Sequence, residues 1–243
     1  MIREVDLSEI SDGKLYGAND LVRADCGGCE GCSACCRGMG SSIVLDPLDC
    51  VRLGQARNMT AASLLSGGYL ELREADGLVL PAIRMQKETN ACPFLDKEGR
   101  CSVHESRPGF CRLFPLGRYY HDRTFSYFLQ TKECRKENRS KVKVKKWLGI
   151  SPIAPYEQYI IQWHYFLKDT EQGIRKAAGA GSGQGLTQEQ IPVYERLQRT
   201  VSMAILKQFY LTPYEPDHFY EIFETRLQNF WDLFAAEKQG EQK

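Results

Sequence analysis

Cys26-Gly-Gly-Cys29-Glu-Gly-Cys32-Ser-Ala-Cys35-Cys36 packs five of the chain's ten cysteines into eleven residues. Apolar packing has no use for five thiols in so short a stretch, whereas two-residue gaps let successive thiolates turn back toward one centre. Gly27, Gly28 and Gly31 supply the backbone freedom for that turn, and Ser33 and Ala34 keep the loop open. The stretch predicts a metal-binding loop.

Working outward, Cys92, Cys101 and Cys111 lie in ACPFLDKEGRCSVHESRPGFCRLFP, Cys134 follows in a charged segment, and Cys50 sits alone in LDPLDCVRL. If the early and late groups converge, the chain offers two four-thiolate sites, or one cluster with thiols to spare. Cys26, Cys29, Cys32 and Cys36 reproduce the C-x2-C-x2-C-x3-C run of bacterial ferredoxins, with Arg37 where that run has its proline. Cys101-x2-His104 leaves room for a mixed zinc site.

CEGCSACC, IVLDPLDCVRL and CPFLDKEGRCSVHESRPGFCRLFP, in that order, resemble the blocks of the YkgJ-type cysteine-cluster proteins, whose common element is a zinc- or iron-chelating domain. The resemblance covers about residues 26 to 134. It implicates Cys29, Cys32, Cys35, Cys36, Cys92, Cys101, Cys111 and Cys134 as metal ligands, and leaves out Cys26 and Cys50. Flagellin lysine N-methylases carry a similar cluster in a larger chain, so the resemblance also admits a cluster-dependent protein-modifying enzyme. The C-x3-C-x2-C triplet of radical enzymes that use S-adenosylmethionine is absent.

At 243 residues the chain can bury a real core, so the cysteines are not compensating for a tiny domain. MIREVDLSEI lacks an apolar leader segment, no run of about 18 apolar residues occurs, and the expected address is the reducing cytoplasm. There, clustered thiols serve as metal ligands or redox groups more often than as disulfides. Thirty-two basic against 31 acidic residues give no global field to attract nucleic acid. The basic run KECRKENRSKVKVKK, Lys132 to Lys146, reads as a solvated face flanking Cys134.

The predicted fold class is α+β: a cysteine-cluster metal-binding domain of short hairpins and helices over residues 1–150, packed on a helical subdomain over 151–243. Ile43 to Leu45 reads as a short strand, and Asp46 with Pro47 as the cap and first residue of a helix through Leu53. Asp76-Gly77 marks one hairpin, His121-Asp122-Arg123 a second, and Cys92 and Cys101 bracket a third. Ser106 is expected to cap a short helix carrying Cys111 and Arg112, with Arg107 and Arg112 beside the cofactor as positively charged groups that donate to cluster sulfur or orient a carboxylate. Beyond Ile153, Tyr156/Ile160/Trp163/Leu167, Tyr194/Leu197/Val201/Ile205 and Phe219/Phe223/Leu227/Phe230/Phe234 recur at helical spacing and predict three helices packed through aromatic faces. Trp231 and Phe234 are candidates for an exposed patch, and His164 for a hydrogen-bonded interior or edge histidine.

Three function classes fit these residues. One is an iron–sulfur protein, four-iron in type, with a redox or electron-transfer role and a redox or protein partner. The others are a zinc-stabilised interaction module and a cluster-dependent modifying enzyme. One loop with four or five thiols and no histidine holds more than a tetrahedral ion can use, which favours the cluster. Triads, phosphate loops and paired glycosidase-like carboxylates are absent, and neither the catalytic residues nor the oligomeric state is legible.

Overall fold

The computed structural model describes residues 6–27, 29, 32–40, 42–136, 138–181 and 185–240, with the side chains of the last helix described to residue 232. A single turn, α1 (Leu7–Ile10), leads into strands β1 (Ser11–Tyr16) and β2 (Leu21–Asp25). After the cysteine loop come helices α2 (Pro47–Arg57) and α3 (Ala61–Ser66) and the hairpin of β3 (Leu70–Ala75) and β4 (Leu78–Ile83). The short helix α4 (Gly109–Leu113) precedes a second hairpin, β5 (Leu116–His121) and β6 (Thr124–Gln130), then β7 (Ser140–Lys143) and α5 (Val144–Leu148). Three long helices complete the fold: α6 (Ile153–Ala177), α7 (Gln190–Ile205), which ends in a π-helical turn over Leu206–Leu211, and α8 (Phe219–Gly240). The class is α+β, as the pattern predicts.

Local chemistry explains the elements that frame the site. Asp46 accepts the amide of Asp49 at 2.9 Å while the Asp49 carboxylate reaches back to the amide of Asp46 at 3.3 Å, a reciprocal capping box with Pro47 in the first turn. Asp76 and Gly77 both take left-handed φ, +49° and +76°, which a two-residue hairpin turn requires. Asp122 and Arg123 do the same between β5 and β6, at +44° and +59°, with no glycine to ease it.

The strands form three small antiparallel sheets, β1-β6-β5, β2-β7 and β3-β4. Val44 bridges Ala82, so the expected strand at Ile43 to Leu45 lies along β4 as a single pairing. The basic run is not wholly a solvated face: it contains β7 and the start of α5. Lys141, Lys143 and Lys146 point outward, but Val144 between them is fully buried, as is Leu148 just beyond the run. Between Cys92 and Cys101 there is no strand pair. One bridge, Leu95 with Cys101, closes a turn there, because Asp96 and Arg100 bond across Lys97 to Gly99 and leave too few residues for a ladder. Ser106 does not cap α4; it ends a 3-10 turn over His104–Ser106, and Pro108 holds the cap position with no side-chain bond.

The larger apolar cluster joins Ile43, Leu45, Leu53 and Phe94 to Tyr156, Tyr159, Trp163, Phe209, Phe223 and Phe230. Buried hydroxyls tie the same parts together. Tyr159 accepts the amide of Leu48 at 3.2 Å, and Tyr210 donates to the carbonyl of Leu45 at 2.8 Å. The aromatic helices thus fix the segment that leads from the cysteine loop into α2. Trp231 is partly exposed, and the Phe234 side chain lies outside the described residues. Among the described residues no helix is long and apolar enough to cross a membrane.

Candidate metal centre

Seven cysteines line one cavity: Cys29, Cys32, Cys35, Cys36, Cys92, Cys101 and Cys111. They arrive from four places along the chain. Cys29 and Cys32 belong to a turn closed by the Cys32 amide on the Cys29 carbonyl at 3.0 Å, with Cys29 itself at φ +63°. Cys35 and Cys36 sit on a 3-10 turn, and the Cys36 carbonyl accepts the amide of Cys92 at 2.8 Å, which joins the early group to the late one. Further bonds hold the join, Gly38 to Asn90 at 2.8 Å and the bridge of Arg37 with Ala91. α4 presents Cys111 from the opposite side.

Turns repeat at the ligand candidates. The amide of Leu95 bonds the Cys92 carbonyl at 3.0 Å and that of His104 the Cys101 carbonyl at 3.2 Å, the same closure as at Cys29. Each of these late turns aims a backbone N–H at its thiol, from Phe94 toward Cys92 and from Val103 toward Cys101. Such bonds orient and stabilise a thiolate, and they are the supports a metal ligand needs.

In the metal-free protein five of these thiols are held neutral. Burial pushes Cys92 up to about 11, and burial with the neighbouring Cys26 pushes Cys29 up to about 12. Cys35 is raised by the Cys36 thiol bonded to it and by burial; Cys101 and Cys111 are raised chiefly by burial. The five-residue α4 therefore does not give Cys111 a thiolate, because desolvation outweighs anything so short a helix supplies. A bound cation reverses this balance outright, since a coordinated thiol loses its proton to the metal's field. Among the described residues no group of three or more His, Cys, Asp or Glu side chains is drawn in tightly enough to hold an ion. The thiols ring a space of about 80 Å³, several times the 10–15 Å³ that one water needs. A donor set of seven thiols around such a space fits a thiolate-bound metal.

The rest of the wall is apolar or cationic. Met39, Phe94, Phe114 and Trp147 exclude water, and Arg107 and His104 stand together at the edge, Arg107 Nη1 lying 3.2 Å from His104 Nδ1. Burial and the nearby Arg107 charge lower the His104 pKa, so the imidazole is neutral near pH 7. Arg107 lines the cavity. Arg112 lies behind α4 instead. It donates to the carbonyl of Leu148 at 3.1 Å and to that of Glu105, so it ties the 3-10 turn and α5 together and is not among the lining residues. Cys134, between β6 and β7, does not line the cavity either. Cys50 is packed in the apolar core. Cys26 lies with its sulfur 3.6 Å from that of Cys29, at the rim.

Sequence reasoning missed the aspartate pair beneath the centre. Asp49 accepts the amide of Gly109 at 2.7 Å, and a Cβ on Gly109 would come within 2.8 Å of the Tyr156 hydroxyl, so glycine is the residue this close approach admits. The spacing Asp46-x-x-Asp49 carried a capping-box signal, but nothing local announced that Asp49 also anchors α4, 60 residues away.

Against known families, residues 28–140 match CxxCxxCC, described as "Putative zinc- or iron-chelating domain". The match spans just under half of the chain and supports metal binding through its cysteines. No curated protein and no solved structure matches the chain.

Proposed function

We propose that the clustered cysteines hold an iron–sulfur cluster of the four-iron type, and that the chain is a cytoplasmic redox or electron-transfer protein. The carrying observation is the seven thiols on one cavity. One tetrahedral zinc uses four ligands, and a structural zinc site closes on them; a surplus of thiols, with no carboxylate on the wall, suits a centre of several iron atoms. When bound, such a cluster supplies a one-electron couple. The chain's own part is to exclude water with Phe94, Phe114 and Trp147, to offer amide hydrogens to Cys92 and Cys101, and to set the Arg107 charge beside the centre, each of which tunes a cluster's potential. Clustered thiols that serve as metal ligands suit a reducing compartment.

Anaerobic purification followed by assay of iron, acid-labile sulfide and zinc per chain tests this reading. About four iron and four sulfide, with absorbance near ~400 nm, are expected. Stoichiometric zinc without sulfide would overturn the redox role and leave a zinc-stabilised module.

A further inference from the structure

On the other side of α4 lies a second and larger cavity, of about 730 Å³, which shares Phe110 with the cysteine cavity. That size is within the range of small-molecule sites, roughly 300–1,000 Å³. Its middle is apolar, formed by Val44, Leu80, Ile160, Trp163 and Leu167. At the buried end stand Arg118 and His164, each with a buried nitrogen that has no hydrogen-bond partner among the described residues, Nε of Arg118 and Nε2 of His164. Both are held in place by other contacts. Arg118 donates through Nη2 to the Tyr156 hydroxyl at 2.9 Å and lies over the Phe125 ring at 5.5 Å, while the His164 ring stacks on Tyr120 at 3.5 Å.

A buried donor left unpaired is destabilising, so a fixed guanidinium with a spare N–H is a seat prepared for an acceptor. Burial, with Lys168 nearby, lowers the His164 pKa to about 4; the imidazole is neutral and can donate through Nε2. Asp46 and Asp49 also face this end, but three of their four oxygens are accounted for by the capping box and the Gly109 amide, and burial beside Asp46 pushes Asp49 up to about 8, so that it keeps its proton near pH 7. The mouth differs in sign: Glu74, Asp76 and Glu171 outnumber Lys168 and Arg175, and Arg175 is paired with Glu171 at 2.7 Å.

We propose that this cavity binds a small monocarboxylate with an apolar body, its carboxylate on Arg118 and His164 and its far end, neutral or ammonium, at the acidic mouth. A second carboxylate would meet the acidic mouth, and a simple amine would leave Arg118 and His164 unsatisfied. The site stands on its own residues and does not depend on which metal the neighbouring cavity holds.

Four probes with the same six-carbon body separate the alternatives: hexanoate, 6-aminohexanoate, adipate and hexylamine, titrated calorimetrically into the full chain as purified with its metal. Hexanoate and 6-aminohexanoate should bind saturably, one per chain, with adipate and hexylamine weaker by about tenfold or more, the worth of one charge-assisted contact. Arg118→Gln should weaken hexanoate by about tenfold or more, His164→Phe, which keeps the stack on Tyr120, by a few-fold, and Leu167→Trp, which fills the cavity, should abolish binding. Circular dichroism shows which variants are folded, and the two milder substitutions carry the test if Arg118→Gln is not. Tightest binding by hexylamine or adipate, no saturable binding of either monocarboxylate, or unchanged affinity in the folded variants would overturn the proposal.

Discussion

The cysteine region and the aromatic helices are built on opposite principles within one molecule. Around the thiols, over residues 32–40 and 91–113, the backbone runs through 3-10 turns, single bridges and closed loops, with only the five-residue α4 as a helix. In α6, α7 with its π-helical turn, and α8 the contacts are rings on rings: Phe223 alone lies against Tyr159, Trp163, Phe209 and Phe219 at centroid distances of 4.7 to 6.1 Å. Apolar burial can stabilise the second region unaided. The first places seven thiols around a space that needs a cation to draw them in, and burial helps to hold Cys29, Cys35, Cys92, Cys101 and Cys111 in the neutral form. The difference teaches which part of the fold depends on metal and which part carries the frame on which the metal site is mounted.

Removing the metal should have the largest effect, because metal binding energy in a thiolate site is folding energy, on the order of 10–16 kcal/mol for structural zinc in small peptides. With a strong chelator, amide exchange should accelerate by orders of magnitude at residues 32–40 and 91–113 while residues 156–174 and 201–230 stay protected. Equal loss of protection in both regions would break the comparison. Next comes Phe223→Ala, which empties a fully buried ring position and should cost about 3–5 kcal/mol in denaturant unfolding. Metal bound per folded chain should stay the same in that variant, and a drop in it would show that the two regions are not separable in this way.

Asp46→Ala removes the cap of the helix that joins the two regions, and a loss of about 1–2 kcal/mol is expected. Asp49 sharpens the comparison through pH. Its folded pKa of about 8 lies above the model-peptide 3.8, so the folded state holds the extra proton; this contribution is full below about pH 4 and is lost as pH rises through 8. Asp49→Asn keeps an acceptor for Gly109 without the titration. At equal metal content, the unfolding midpoint of the variant should fall less than that of the wild type between pH 5 and pH 8, and parallel curves would remove Asp49 from the account.

Legibility in the sequence followed the range of each interaction. Asp76-Gly77 fixed its hairpin and Asp46-Pro47 its helix start, because turn and cap chemistry act over a few residues. The aromatic helices were legible from their period. The pairing of Ser11 with Gln130 and of Leu21 with Lys143 was not, since partners more than a hundred residues apart leave no local trace. The basic run hid β7 and the start of α5, because its outward lysines mask the buried Val144 between them. At the site, seven of the eight expected ligands share one cavity, and Cys134 is elsewhere. Spacing marks a cysteine as a ligand candidate, but convergence is decided by contacts such as that of Cys92 with Cys36. Arg118 and the larger cavity had no sequence signature at all, being assembled from α2, β3, β4, α4, β5, α6 and α7.

The central claim is that the seven thiols ligate a multi-iron centre, and X-ray absorption at the iron and zinc edges of the anaerobically purified full chain tests it most directly. The account predicts iron surrounded by sulfur, with further iron atoms in the next shell. Zinc at full occupancy with no iron edge, or iron bound mainly through nitrogen and oxygen, would contradict it.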